Sequence, residues 1–154
     1  MMGKITGAVA GKVALGVAMS TSVQAGDGMI NVKSQHSAVQ TADKLETVLN
    51  AKGMTVFARI DHSAGAEKIG KELRDTQLVL FGNPKVGTPL MLCAQSVAID
   101  LPQKALIWED AEGSVWLSYN DPAHLAKRHN IQGCDEVLNK VSGALGKFAK
   151  AATQ

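Results

Sequence analysis

Periodicity and element order predict an α+β fold with a largely antiparallel sheet. Apolar residues recur at helical spacing in some stretches and alternate with polar ones in others. Strands and helices take turns along most of the chain, and the alternation breaks where two strands follow each other directly around Ala111-Glu112-Gly113. A doubly wound parallel sheet would need a helix at that point.

The chain has 154 residues, of which 45% are hydrophobic, with 16 Lys and Arg against 14 Asp and Glu. That is one domain's length, and enough apolar side chain to offset ordering entropy, so disorder throughout is excluded. Two cysteines are too few for a disulfide scaffold or a four-cysteine zinc site, and no uninterrupted apolar run reaches the roughly 18 residues of a lipid-spanning helix.

Residues 1–25 read as a secretory signal peptide. Lys4 precedes a small, apolar stretch, Lys12 leaves Val13 to Met19 as a short hydrophobic region, and Val23 and Ala25 supply the small side chains of a cleavage site before Gly26. The alternative is a disordered or amphipathic N-terminal arm. Cleavage leaves 14 basic and 14 acidic residues, without the basic excess that displaces counterions from nucleic acid. A periplasmic or secreted protein is therefore expected, with no nucleic-acid partner and no stable membrane insertion after cleavage.

Within the mature chain, residues 28–154 read as a single domain. Met29, Ile30 and Val32 begin a strand, Ser37 caps a helix whose apolar stripe runs through Val39, Ala42, Leu45, Val48 and Leu49, and Gly53 stops it. Met54, Val56, Ala58 and Ile60 alternate with Thr55, Phe57, Arg59 and Asp61, predicting a strand with one buried face. Ser63 is the expected cap of a short helix carrying Ala66, Ile69, Gly70 and Leu73. Gln77 to Phe81 is apolar enough for a central strand, and Asn83 with Pro84 opens a helix expected to reach Ile99, with a restart at Thr88-Pro89. Lys104 to Asp110 and Ser114 to Tyr119 form the hairpin. Asp121-Pro122 caps a helix to His129, and Asp135 to Ala152 forms the last helix through Val137, Leu138, Val141, Leu145 and Phe148.

Asp61-His62 with Ala64 and Ala66, Leu78 to Pro84 (LVLFGNP), Lys85, Gly87, Thr88 and Pro89, then Asp100-Leu101-Pro102, Trp108-Glu109-Asp110 and Tyr119 form an ordered set. Over about residues 28 to 130 it resembles the bacterial and archaeal domain-of-unknown-function family 302. The resemblance implies a curved antiparallel sheet backed by helices, similar to a TATA-binding-protein-like arrangement, and brings no established activity. Cys93 and Cys134 match no cysteine position expected from the family.

The foremost site candidate is the turn Phe81 to Pro89. A helix N-terminus offers free N–H groups and the positive end of its dipole, so the backbone after Asn83 is a candidate seat for a carboxylate or phosphate, with Lys85 and Thr88 adding a charge and a hydroxyl. Gly82 and Gly87 have the spacing of a phosphate-binding loop, but Thr88-Pro89 follows where Lys-Ser/Thr is required. Strand-to-helix punctuation is the competing reading. His62, at the end of a strand, is the second candidate, as base, acid or ligand. The expected site is one pocket built from His62, Asn83, Lys85, Gly87 and Thr88. Rival readings are an enzyme using His62, with Asp61 or Glu109, as general acid or base, and an interaction module working through an exposed sheet face or edge, with a homodimer as one form.

No cofactor is expected and no metal site, because His36, His62, His124 and His129 are scattered and lack His-x-x-x-His spacing. Ser-His-Asp catalysis is not expected either, since Gly-x-Ser-x-Gly is missing and no serine stands out. Cys93 and Cys134 are read two ways, as one disulfide joining the third and last helices or as two buried thiols.

Overall fold

Alternating and helical stretches resolve into the expected architecture in a computed structural model that describes residues 28–154. The leader predicted for residues 1–25 lies outside the described residues. In chain order come β1 (Met29–Lys33), α1 (Ala38–Ala51), β2 (Thr55–Asp61), α2 (His62–Glu67), β3 (Thr76–Gly82), α3 (Pro84–Cys93), a 3-10 helix (Gln95–Asp100), β4 (Gln103–Glu109), β5 (Val115–Asn120), α4 (Pro122–Arg128) and α5 (Asp135–Thr153). The strands form one sheet in the order β1-β5-β4-β3-β2, and every neighbouring pair is antiparallel. The fold is α+β, as the hairpin break predicts.

Capping chemistry sets the helix starts. Ser37 accepts from Gln40 N while the Gln40 side chain accepts from Ser37 N, a reciprocal box that satisfies two otherwise unpaired donors. Gly53 ends α1 at φ +69°, a conformation that costs other residues a Cβ clash. Helix α1 lies against β2 to β5, and α5 packs beside it over β1 and β5. Leu45 and Leu49 meet Val141, Leu145 and Phe148 above Val79, Phe81, Ala105, Ile107 and Leu117 of the sheet. Phe81 meets Phe148 edge to face, with ring centroids 6.4 Å apart. Each fully buried Leu or Ile here contributes about 1.5–3 kcal/mol of transfer free energy. The opposite face carries Leu78, Leu106, Trp108 and Trp116, which the register sets side by side.

The structure corrects three local expectations. Strand β2 does not bury one alternating face: its pairing shifts between Val56 and Ala58, so Val56 opposes Phe81 and Ala58 opposes Leu80, with Phe57 as the extra residue. A bulge of this kind re-aims one side chain, and it leaves Phe57 57% exposed and Ile60 on the face away from α1. Arg59 then falls on the α1 side, where it donates to Gln77 Oε1 at 2.7 Å and pairs with Asp43 at 2.5 Å. Second, Asp61 caps α2 in place of Ser63, whose hydroxyl accepts from Thr76 N; the helix ends at Glu67, leaving Ile69 and Leu73 exposed. Third, the helix from Asn83 stops at Cys93. Ala94 turns extended, and the rest winds as a 3-10 helix that buries Val97 and Asp100. Tertiary burial outweighs helical spacing here.

Cys93 and Cys134 form a disulfide across a sequence separation of 41, with Cα atoms 6.4 Å apart. It joins the end of α3 to the start of α5. A loop of that length restricts the unfolded chain, so reduction, or Cys93→Ser, is expected to lower unfolding free energy by about 4 kcal/mol. Urea titrations with and without reductant measure this, and coincident curves would contradict it.

Asp110 organises the hairpin. Its carboxylate accepts from Trp116 Nε1 at 2.7 Å and from the backbone N–H groups of Ser114 and Glu112. The Trp116 bond above all, then the two backbone bonds and the Lys33 charge, hold its pKa below the ordinary 3.8 against the opposing effect of burial. A depressed native pKa stabilises the fold above the unfolded value, and that contribution disappears as pH falls through the native one. Asp110→Asn is expected to lower stability at neutral pH and to flatten the loss below about pH 4, as read from denaturant midpoints along an acid series.

Candidate functional site

The turn after β3 has an unambiguous local cause. Asn83 is extended, and its side chain does two jobs: Oδ1 accepts from Lys85 N at 2.9 Å, and Nδ2 donates to Gly53 O at 2.8 Å. The first bond caps α3, and the second ties the cap to the end of α1. Pro84 has no N–H, and the N–H groups of Val86 and Gly87 both donate to Asn83 O. Every donor in the first turn of α3 is therefore occupied, so the helix offers an incoming anion no free N–H.

Beside this turn lies a cavity of about 450 Å³. Met54, before β2, and Phe57, at the bulge, form one wall; Val86, Gly87, Leu90 and Met91 of α3 form another; Leu101, Pro102 and Gln103 close it on the β4 side. Gly82 matters for close approach, since a Cβ there would sit 3.3 Å from Phe57 Cε2 and 3.6 Å from Pro102 Cβ. The Leu101-Pro102 peptide is cis. Among the described residues the lining is mostly apolar and includes no charged side chain. The lining also carries the Thr88 hydroxyl and the Gln103 side-chain amide, for which no hydrogen-bond partner occurs among the described residues.

Of the predicted site residues, Asn83, Gly87 and Thr88 line the cavity. Lys85 is exposed and does not line it. His62 is elsewhere. The β2–β3 register pairs Thr55 with Gly82 and Asp61 with Gln77, so His62 and Asn83 stand at opposite ends of the sheet, roughly 20 Å apart at about 3.4 Å per residue. A pocket shared by His62 and the Asn83 turn is excluded by this antiparallel pairing. His62 is exposed at the first position of α2, and Asp61 spends its carboxylate on Ala64 N, so no acid–base pair is assembled there. Among the described residues no cluster of three metal-ligating side chains occurs.

Sequence reasoning missed Met54, Phe57, Leu101 and Gln103. The available signal was Asp-Leu-Pro before a strand, which marks a sharp entry to β4, but only the strand order shows that this entry adjoins the β3 exit.

Fold and cavity together define a two-layer antiparallel α+β domain with an apolar pocket at one end of its sheet. Residues 30–148 match the family described as "Domain of unknown function DUF302", and the chain belongs to that family. The crystal structure of an uncharacterized conserved DUF302 protein from Bacillus stearothermophilus aligns with a TM-score of 0.74 over 84% of this chain and 100% of that one; at 15% identity the likeness is one of fold. Among curated proteins, the chain is 42% identical over 126 residues to "Fluoride-specific ion channel FluC 1" of Brucella suis, covering 79% of this chain and 50% of that protein. It is likewise 42% identical to the protein of the same name from Brucella abortus, covering 47% of it. The chain spans about half the length of the curated relatives it matches. No helix among the described residues is long and apolar enough to cross a membrane.

Proposed function

We propose that this domain binds a small, predominantly apolar molecule in the cavity between Phe57, α3 and Leu101-Pro102-Gln103. One observation carries the reading: a cavity of about 450 Å³ with an apolar lining that includes the polar side chains of Thr88 and Gln103, for which no side-chain partner occurs among the described residues. Pockets of this size suit a drug-sized guest, with apolar walls supplying affinity and a few polar groups fixing orientation. Met54 and Met91 add flexible, polarisable walls that adapt to guest shape. The occupied donors of the α3 turn and the absence of Lys85 from the lining favour a neutral apolar guest over the anion suggested by the sequence. Ion conduction is named for relatives of which this chain matches half, and it is not carried over.

The test is saturable binding of a neutral fluorophore, Nile red, by the full chain, with competition from a panel of small apolar compounds. Gly87→Leu is the blocking variant. A Cβ at Gly87 meets only Leu101 Cδ1, at 3.8 Å, so the backbone accepts the substitution while the added branch enters the cavity. A guest at a hundredfold excess over its Kd stabilises the fold by about 2.7 kcal/mol, a shift expected in the parent and absent in Gly87→Leu. Equal binding by a folded Gly87→Leu protein overturns the reading.

We also propose that the protein works outside the cytosol, in the periplasm or medium. The leader-like residues 1–25 support this, and so does the Cys93–Cys134 disulfide, a bond that persists in oxidising compartments. Cell fractionation is expected to recover the chain there with Gly26 as its first residue; a cytosolic protein beginning at Met1 would refute it.

A further inference from the structure

Among side chains that do not line the cavity, three form an unbroken hydrogen-bond chain. Ser96 Oγ lies 3.0 Å from His129 Nδ1, and His129 Nε2 lies 2.5 Å from Asp100 Oδ2. The second carboxylate oxygen of Asp100 accepts from Arg128 Nη1 at 3.0 Å. The His129 and Asp100 side chains are 6% and 11% exposed, whereas Ser96 is exposed. Serine and aspartate come from the 3-10 helix, and histidine from the end of α4. A sequence separation of 33 between Ser96 and His129 hides the arrangement from any local motif.

Proton placement follows from the short contact. A carboxylate accepts only, so the proton between Asp100 and His129 belongs to Nε2, and a neutral imidazole then presents a lone pair at Nδ1 to the Ser96 hydroxyl. That is the connectivity of nucleophile, base and orienting carboxylate which recurs on unrelated hydrolase folds, with the two ring nitrogens exchanging their places. In a 3-10 helix, residues i and i+3 share one side, so Ile99, 72% exposed, stands beside Ser96 as an apolar shelf.

We propose that Ser96, His129 and Asp100 form a nucleophilic site for small carboxylic esters with a short apolar acyl group. Ser96 Oγ attacks the ester carbonyl carbon while its proton passes to His129 Nδ1. The carbon–oxygen bond to the alcohol then breaks, and the departing oxygen takes that proton. Water, giving a proton to the same nitrogen, attacks the acyl carbon; the bond to Ser96 breaks and Ser96 recovers the proton. The balance is ester plus water to acid plus alcohol, with no other reactant. Asp100 exchanges no proton and acts as a positioning residue that holds the imidazole tautomer. None of the three side chains lines the cavity, which takes Ala98 and Leu101 from the same stretch of chain, and the proposal does not rest on what the cavity binds.

The experiment uses the full chain with p-nitrophenyl acetate, whose leaving group departs readily, and with a fluorophosphonate label located by mass spectrometry. The expected result is labelling at Ser96 and loss of hydrolysis by at least about 100-fold in Ser96→Ala, which removes the nucleophile and with it the general-base assistance His129 gives to its attack. Ser96 is exposed, so this variant is expected to fold, at the cost of one hydrogen bond to His129, and the comparison stands even if His129 variants fail to fold. Asp100→Asn, in protein still folded by circular dichroism, is expected to slow labelling of Ser96, a readout that a merely structural carboxylate would not move. Label absent from Ser96, or hydrolysis by Ser96→Ala at the parent's rate, overturns the proposal and leaves the three side chains as a tie between α4 and the 3-10 helix.

Discussion

Strand β3 is hydrogen-bonded along both edges, to β2 and to β4, and both pairings are antiparallel. The end of the sheet that carries the cavity depends on this constraint. It brings the exit of β3 at Asn83 next to the entries of β2 and β4, so Met54, Gly82 and Gln103, far apart in sequence, meet around one cavity. In a parallel sheet the ends of β2 and β3 would have coincided, and His62 would have faced Asn83. A single choice of strand direction thus separates two polar turns and assembles an apolar pocket.

Local chemistry was largely legible in the sequence. Ser37, Asn83 and Asp121 cap helices where a short polar side chain precedes an apolar stripe, and Gly53 ends α1 with the positive φ its type favours. The hairpin around Gly113 and the stripe of α5 also follow their patterns. Non-local features were not legible. Phe57 reads as an ordinary alternating residue, and only pairing against Leu80 makes it the extra residue of a bulge. His129 reads as one of four scattered histidines, and only the packing of α4 against the 3-10 helix brings it to Asp100 and Ser96. Ile69 and Leu73 carried a helical stripe that no partner element covers. In each case the missing information was which surfaces meet, and spacing along one element does not encode that.

The cavity shows how accounting for donors changes a chemical expectation. A helix start after a Gly-Asn-Pro turn suggests an anion seat, yet Asn83 satisfies the first turn of α3 with its own side chain and carbonyl. What remains open to a guest is the side of α3 bearing Val86, Leu90 and Met91. The electrostatic invitation was answered within the chain, and the hydrophobic one was left unanswered. This distinction bears on a family whose description assigns no activity.

The bond between Cys93 and Cys134 makes the intervening segment a covalent ring threaded through the centre of the sheet. That ring contains the 3-10 helix, the whole β4–β5 hairpin and α4, with Ser96, Asp100 and His129 among its members. A single backbone cut anywhere between the two cysteines therefore releases no fragment: the severed halves stay linked, and β4 and β5 remain held between β3 and β1. The segment richest in candidate chemistry is also the one that a protease would find hardest to remove while the disulfide is intact.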